Sequence, residues 1–217
     1  MIKTVIFDMD GVIVDTEPVH KYAYDLHFKE LGIDVSEELY ASFTGNSTRN
    51  VFQKLKERFD LSHEVEELIL RKRFLFNEAF DTKKDLFLID GVEALIKNLH
   101  ANDMQLILAS SASKGTITRV FNRFGLNPYF KHRVSGEDFP KSKPDPAIFI
   151  HAAGLSAFAD ENCIVIEDST NGITAAKAAG LKCIGYHSQN SKLQDLSHAD
   201  YIVEDFGLLD FDRISKM

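Results

Sequence analysis

Apolar positions along the chain follow two alternating patterns. Short runs rich in β-branched and apolar residues recur at "TVIFD" (4–8), "MQLILAS" (104–110), "HRVS" (132–135), "CIVIED" (163–168), "KCIGYH" (182–187) and "DYIVED" (200–205), and runs of this kind predict strands. From residue 90 onward each is separated from the next by a segment with helical spacing, such as "GVEALIKNLHAN", "KGTITRVFNRFG", "DPAIFIHAAG" and "NGITAAKAAG". Such alternation predicts an α/β fold with a doubly wound, parallel, Rossmann-like sheet. Ligands of these sheets bind beyond the carboxyl ends of the strands. Asp8, Ser110 and Asp168 fall at such ends, so the chemistry is expected there.

One stretch breaks the alternation. Between the first strand and the next lie segments with helical periodicity, including "VHKYAYDLHFKELG", "STRNVFQKLKERF" and "EVEELILRKRFLFNEAF". They predict a smaller helical domain at 15–85 inserted into a core domain made of 1–14 and 86–217. Its place directly after the first strand suits a lid over the strand ends. Helices packed on the sheet without moving are the alternative. No internal repeat or low-complexity linker is present.

Composition narrows the class of partner. The chain has 217 residues, 44% of them hydrophobic, enough for a real core. Its formal net charge of -8 and isoelectric point near 5.5 would repel a nucleic-acid backbone, so a small molecule is the expected partner. Cys163 and Cys183 sit in apolar runs without metal-ligand spacing and read as buried free thiols, which suits a reducing compartment. The first residues turn charged at Lys3 and Asp8 before a signal-peptide segment develops, and no run approaches the roughly 18 apolar residues of a membrane span. The expectation is a cytoplasmic monomer bound to neither membrane nor nucleic acid.

The stretch "FDMDGV" then raises a chemical question, because two carboxylates one residue apart at a strand tip repel each other unless a cation, a proton or a reaction uses them. An EF-hand loop is excluded: counted from Asp8, its fifth and twelfth positions are Val12 and Val19. No G-x-x-x-x-G-K-[ST] occurs, and no G-x-G-x-x-G follows the first strand. Asp8 is instead a candidate nucleophile that accepts a phosphoryl group, with Asp10 as the acid and base that serves the leaving group and then water. A turn-and-capping role for the pair is the competing reading.

Other strand ends favour the chemical reading. Glu167-Asp168 closes "CIVIED" and adds a second acidic pair, although either residue is also placed to cap the helix that follows. Four carboxylates in one crevice call for a divalent cation, and an all-oxygen site suits Mg²⁺, with Asp8, Asp10, Glu167 and Asp168 as candidate ligands. Ser110 and Ser111 lie between a strand and a helix, where hydroxyls and N–H groups suit an anion. Lys143, just before Pro144 at the entry to a helix, supplies a counter-charge where the helix dipole disfavours one. Lys141 is expected to be solvated.

Asp8-x-Asp10, Ser110, Lys143 and Glu167-Asp168, in that order, resemble the four motifs of the haloacid dehalogenase superfamily. "FDMDGVIVDTEPVH", "KPDPAIF" and "EDSTNGITAAKAAG" resemble its β-phosphoglucomutase-like branch of phosphatases and phosphomutases, whose members carry a helical cap after the first motif. The resemblance implies Asp8 as nucleophile and Asp10 as acid/base, with Ser110 and Lys143 holding the phosphoryl group. It places Mg²⁺ on Asp8, the Asp10 backbone carbonyl and Asp168, with Glu167 in or near the shell. From the cap it implies substrate contacts by His20 and Lys72. The mutase has an Arg directly after the Ser of its cap loop, whereas here Ser47 is followed by Thr48 and then Arg49. The expected function is therefore a Mg²⁺-dependent phosphatase of small phosphorylated metabolites, sugar phosphates first among them. A phosphohexomutase is the alternative, and a phospho-Asp signalling module the remote one.

Overall fold

The computed structural model describes residues 1–43, 46–188 and 193–217. Six strands, β1 (Thr4–Phe7), β2 (Gln105–Ser110), β3 (Phe130–Ser135), β4 (Cys163–Glu167), β5 (Lys182–Tyr186) and β6 (Tyr201–Val203), form one sheet of order β3-β2-β1-β4-β5-β6. Every pairing is parallel. In register, Thr4 of β1 sits between Gln105 and Cys163, and Phe7 between Leu108 and Ile166.

Strand side chains alternate between faces, so an uninterrupted apolar run implies helices on both sides. Val5, Phe7, Leu106, Leu108, Ile164 and Ile166 join one core, filled by α5 (Val92–Ala101) and α6 (Lys114–Phe124). Ile6, Ile107, Ala109 and Val165 join the other, filled by α7 (Ala147–Gly154) and α8 (Thr170–Ala178). Cys163 and Cys183 are buried free thiols in this second core. A short α9 (Phe211–Ile214) ends the chain. Among the described residues no helix is long and apolar enough to cross a membrane.

Because β2 and β4 flank β1, the winding reverses beside β1, and the crevice outside the strand ends at such a point is where α/β sheets bind ligands. Among the described residues, four helices intervene between β1 and α5: α1 (Glu17–Leu31), α2 (Glu37–Ala41), α3 (Thr48–Phe59) and α4 (Val65–Thr82). Tyr24, Phe28, Val51, Phe52, Leu55, Leu68 and Ile69 make an apolar cluster of their own, whereas Val19, Ala23, Leu75, Phe76 and Phe80 belong to the sheet's core. The ends of α1 and α4 nearest the sheet are thus continuous with the main core. Polar contacts also cross over, among them Asn50 of α3, which donates to Ser142 Oγ at 2.5 Å, and Arg73 of α4, which pairs with Glu137 at 2.6 Å.

Three expectations need correction. Among the described residues no helix joins β5 to β6, because "HSQNSKLQDLSHAD" lacks an apolar stripe to seat one. The five-residue α2 was not expected; Ser36 caps it by accepting Leu39 N–H, and none of its side chains is buried, so it leaves almost no apolar signal. Lys143 is not at a helix entry, since α7 begins only at Ala147 after a turn holding Pro144 and Pro146. Its placement is explained by ion pairs rather than by a dipole.

Candidate active site

The strand tips supply the floor of a cavity. β1 ends at Phe7, so Asp8 is the first residue past the sheet edge, and its N–H still bonds to Ile166 O at 3.0 Å. The chain then turns through Gly11, at φ +83°, a left-handed value that favours glycine. A Cβ there would also overlap the Asp168 carboxylate. Gly11 therefore lets the first strand tip approach the fourth.

Lys143 is the hub of the floor. Its Nζ donates to Asp8 Oδ1 and Glu167 Oε1, both at 2.6 Å, and to Ala109 O at 3.2 Å, while the side chain is only 2% exposed and lies 4.8 Å from the Phe149 ring centre. Burial alone would lower its pKa, but the charges of Asp8 and Glu167 raise it above the usual lysine value. Glu167 is held at its other end too: Oε2 accepts from Asp168 N, Ser169 N and Ser169 Oγ, each at 3.0 Å. Ser169, not either acid, caps α8, by accepting Gly172 N–H. A Cβ on Gly172 would overlap the Glu167 carboxylate, so that glycine admits the acid to the helix N-terminus, where backbone N–H groups favour negative charge.

Burial pushes the Asp8 pKa up to about 7; Lys143 opposes the rise, and Glu167 and Asp10 add to it. Asp168 is also raised, by burial first and then by Glu167 and Asp8. Two buried carboxylates whose negative forms are destabilised in this way want a cation. Among the described residues no three His, Cys, Asp or Glu side chains converge on one point as a cage. Two carboxylates with the remaining positions left to backbone and water fit Mg²⁺, which keeps several of its waters.

Asp10 has a different environment. Thr16 Oγ1 donates to its Oδ1, and His20 Nε2 lies 3.7 Å from the same oxygen. Burial would raise its pKa, but His20, Thr16 and the charge of Lys72 together hold it below the usual carboxylate range. The resting group is a carboxylate, and an arriving phosphate dianion would raise its proton affinity. His20 stacks on Phe76 with ring centres 4.4 Å apart, and its Nδ1 is 2.6 Å from Lys72 Nζ. Lys72 is 3% exposed, lies over the Tyr24 and Phe76 rings, and is pushed by burial down to about 7.

These groups share one cavity of about 120 Å³, lined by Asp8, Asp10, His20, Lys72, Ser111, Lys143, Glu167 and Asp168 among others. Of the two serines, Ser111 lines it, whereas Ser110 is fully buried and its Oγ accepts Ala112 N–H at 3.0 Å. Lys141 is exposed, as expected. Glu17 and Tyr40, to which the sequence assigned no role, line the same cavity, as does Thr48. Glu17 lies in the "DTEPVH" stretch that carries the resemblance but has no role in it, Thr48 marks only a departure from the mutase pattern, and Tyr40 lies in the unexpected α2. Arg49 is turned elsewhere, to a 2.6 Å pair with Glu66 on the exposed surface. Thr44 and Gly45 lie outside the described residues.

Known proteins show the same frame. The family model of haloacid dehalogenase-like hydrolases matches residues 5–186. A phosphorylated carbohydrates phosphatase of Thermotoga maritima is 30% identical over 84% of this chain and 83% of its own. The β-phosphoglucomutase of Bacillus subtilis is 28% identical over 84% and 82%. The crystal structure of β-phosphoglucomutase from Clostridium difficile superposes with a TM-score of 0.86 at 27% identity, covering 100% of this chain and 96% of that one. With an all-parallel sheet wound about Asp8 and a helical segment after the first strand, the chain belongs to the haloacid dehalogenase-like hydrolase family, in its β-phosphoglucomutase-like branch.

Proposed function

We propose that the protein is a Mg²⁺-dependent phosphatase of small phosphorylated metabolites, sugar phosphates first among them, that works through a phosphoryl group carried on Asp8. The observation that carries this reading is Lys143, whose Nζ lies 2.6 Å from both Asp8 and Glu167 at the floor of a cavity that Asp10 also lines. Lys143 keeps Asp8 in place and partly charged and brings positive charge to the incoming phosphate oxygens. The Asp8 carboxylate attacks phosphorus as the ester P–O bond breaks, and Asp10, charged with a proton in the presence of the phosphate dianion, delivers it to the leaving alkoxide. Asp10 then takes a proton from water, the water oxygen attacks phosphorus, the Asp8–P bond breaks, and inorganic phosphate leaves. Ser111, with the neighbouring N–H groups, holds phosphate oxygens, and Ser110 braces that turn.

Asp8, Asp168 and the Asp10 backbone carbonyl are the groups that would hold Mg²⁺; when bound it offsets the carboxylate charge and polarises a phosphate oxygen. Glu167, with both oxygens engaged by Lys143, Ser169 and backbone N–H groups, acts on the metal from outside this set. His20 and Lys72 steady Asp10 and face the substrate. Residues 15–85 serve as a cap domain over a core of 1–14 and 86–217, a division supported by the separate apolar cluster among α1, α3 and α4.

A phosphohexomutase remains the second reading, since a β-phosphoglucomutase is among the relatives. Hydrolysis is favoured by Thr48 at the cavity wall and Arg49 paired with Glu66 outside it, because a mutase must hold the second phosphate of a bisphosphate. Phosphate release measured over a panel of phosphomonoesters, beside a coupled assay of glucose 1-phosphate to 6-phosphate conversion, tests the choice. Release with little isomerisation is expected, stopped by chelation and restored by Mg²⁺. Metal-independent release, or isomerisation outrunning release, would overturn it.

A further inference from the structure

Above the floor, the far wall of the cavity carries a carboxylate. Glu17, the first residue of α1, lines the cavity together with Tyr40 of α2, and the Tyr40 hydroxyl donates to Glu17 Oε1 at 2.8 Å. A glutamate in the first turn of a helix is favoured by the dipole wherever it points. This one is tied across to another helix on the cavity wall. Lys72 also lines the cavity, and both Asp10 and Glu17 act on it electrostatically, while Lys21, over the Tyr40 ring, is paired with Asp25. Among the described residues, the cavity is lined by five carboxylates (Asp8, Asp10, Glu17, Glu167, Asp168) and two ammonium groups (Lys72, Lys143). One divalent cation still leaves a negative excess, before the phosphate itself arrives. Near the scissile bond Lys143 and the metal site accommodate that phosphate; a second anionic group on the same substrate would face Glu17.

We infer that Glu17, held by Tyr40, selects phosphomonoesters whose leaving group is neutral and hydroxylated, accepting a hydroxyl from it, and rejects those that carry a second phosphate or a carboxylate. This rests on the phosphatase reading and narrows it. Asn46 and Tyr24, which line the same wall, offer an amide and an aromatic face to such a polyol or nucleoside.

The test uses the full chain with Mg²⁺ and matched phosphomonoesters: glycerol 3-phosphate against 3-phosphoglycerate, and fructose 6-phosphate against fructose 1,6-bisphosphate, within a wider panel of neutral and anionic leaving groups. The neutral members should lead in kcat/KM by about tenfold or more, the scale of one unscreened like charge in a cleft. Glu17→Gln should shrink that ratio, chiefly by improving the anionic substrates. Tyr40→Phe, which removes the donor and leaves the carboxylate, should widen it or leave it as it is. A purely structural role would lower both substrates together in both variants. Turnover with an anionic leaving group as the best substrate of the panel, or an unchanged ratio in folded Glu17→Gln, overturns this inference alone. No phosphate release from any member overturns the phosphatase reading and this one with it.

Discussion

Lys143 on the floor and Lys72 on the roof are both almost fully buried ammonium groups lining the same acidic cavity, yet their proton affinities move in opposite directions. Lys143 meets two carboxylate oxygens at 2.6 Å and a backbone carbonyl, and its pKa rises. Lys72 meets an imidazole nitrogen and two aromatic faces, with its acids farther off, and burial brings it down to about 7. Burial is the same in both, so the difference comes from direct contact with a counter-charge. The floor is a permanent ion-pair network. The roof is poised to gain or lose a proton as charge enters the cavity.

Breaking the floor should have the largest effect. Lys143→Met leaves Asp8 and Glu167 buried without their cation, and the loss of such a partner costs on the order of 3–5 kcal/mol. Thermal unfolding should show a large fall in Tm, together with loss of phosphate release, and raised Mg²⁺ should recover part of the Tm but not the activity. A variant that keeps the wild-type Tm without added metal would mean that the acids are not charged in the resting protein.

Gly172→Ala attacks the same network indirectly, because the added methyl overlaps the Glu167 carboxylate. Forcing an atom into a packed site costs about 1–3 kcal/mol. Chemical denaturation should show a loss of that size, and kcat should fall more than KM rises as Lys143 is displaced. Stabilisation of the kind a helical Gly→Ala change often gives would mean that Glu167 has room to move.

On the roof, Lys72→Met should cost activity but little stability, since the buried charge is already disfavoured. The pH dependence sharpens the contrast. Unfolded Lys72 keeps its proton up to about pH 10.4, while the folded group releases it near 7. Between those values the unfolded chain binds more protons, so this residue makes stability rise with pH, by up to about 1.4 kcal/mol per unit. Unfolding free energies at pH 7 and 9 should show that rise in the wild type and a smaller one in Lys72→Met. Equal slopes would mean that Lys72 stays charged when buried.

The sheet was legible because its central strands β1, β2 and β4 are buried along their whole length and so appear as plain apolar runs, with the half-exposed β3 and β6 at the edges leaving shorter ones. The floor was legible for a related reason: Asp8, Lys143, Glu167 and Asp168 lie at or near the ends of those runs, where topology brings them together. The roof was not. Glu17 and Tyr40 meet only because α1 and α2 pack side by side, and nothing in their spacing of 23 residues records it. Both Ser110 and Ser111 were candidates and the resemblance favoured Ser110, whereas the structure buries Ser110 and has Ser111 line the cavity. The state of Asp10 depends on Thr16, His20 and Lys72 arriving together, a three-body outcome that a linear pattern does not encode.

The central claim is that the floor exists to make Asp8 a phosphoryl acceptor. The most direct test is a rapid acid quench of the Mg²⁺-loaded protein turning over a phosphate-labelled monoester, followed by peptide mapping of the label. The account predicts an acid-stable, base-labile phosphoryl group on Asp8, absent from Asp8→Asn although that variant folds. Label on another residue, or phosphate release by folded Asp8→Asn at the wild-type rate, would contradict it.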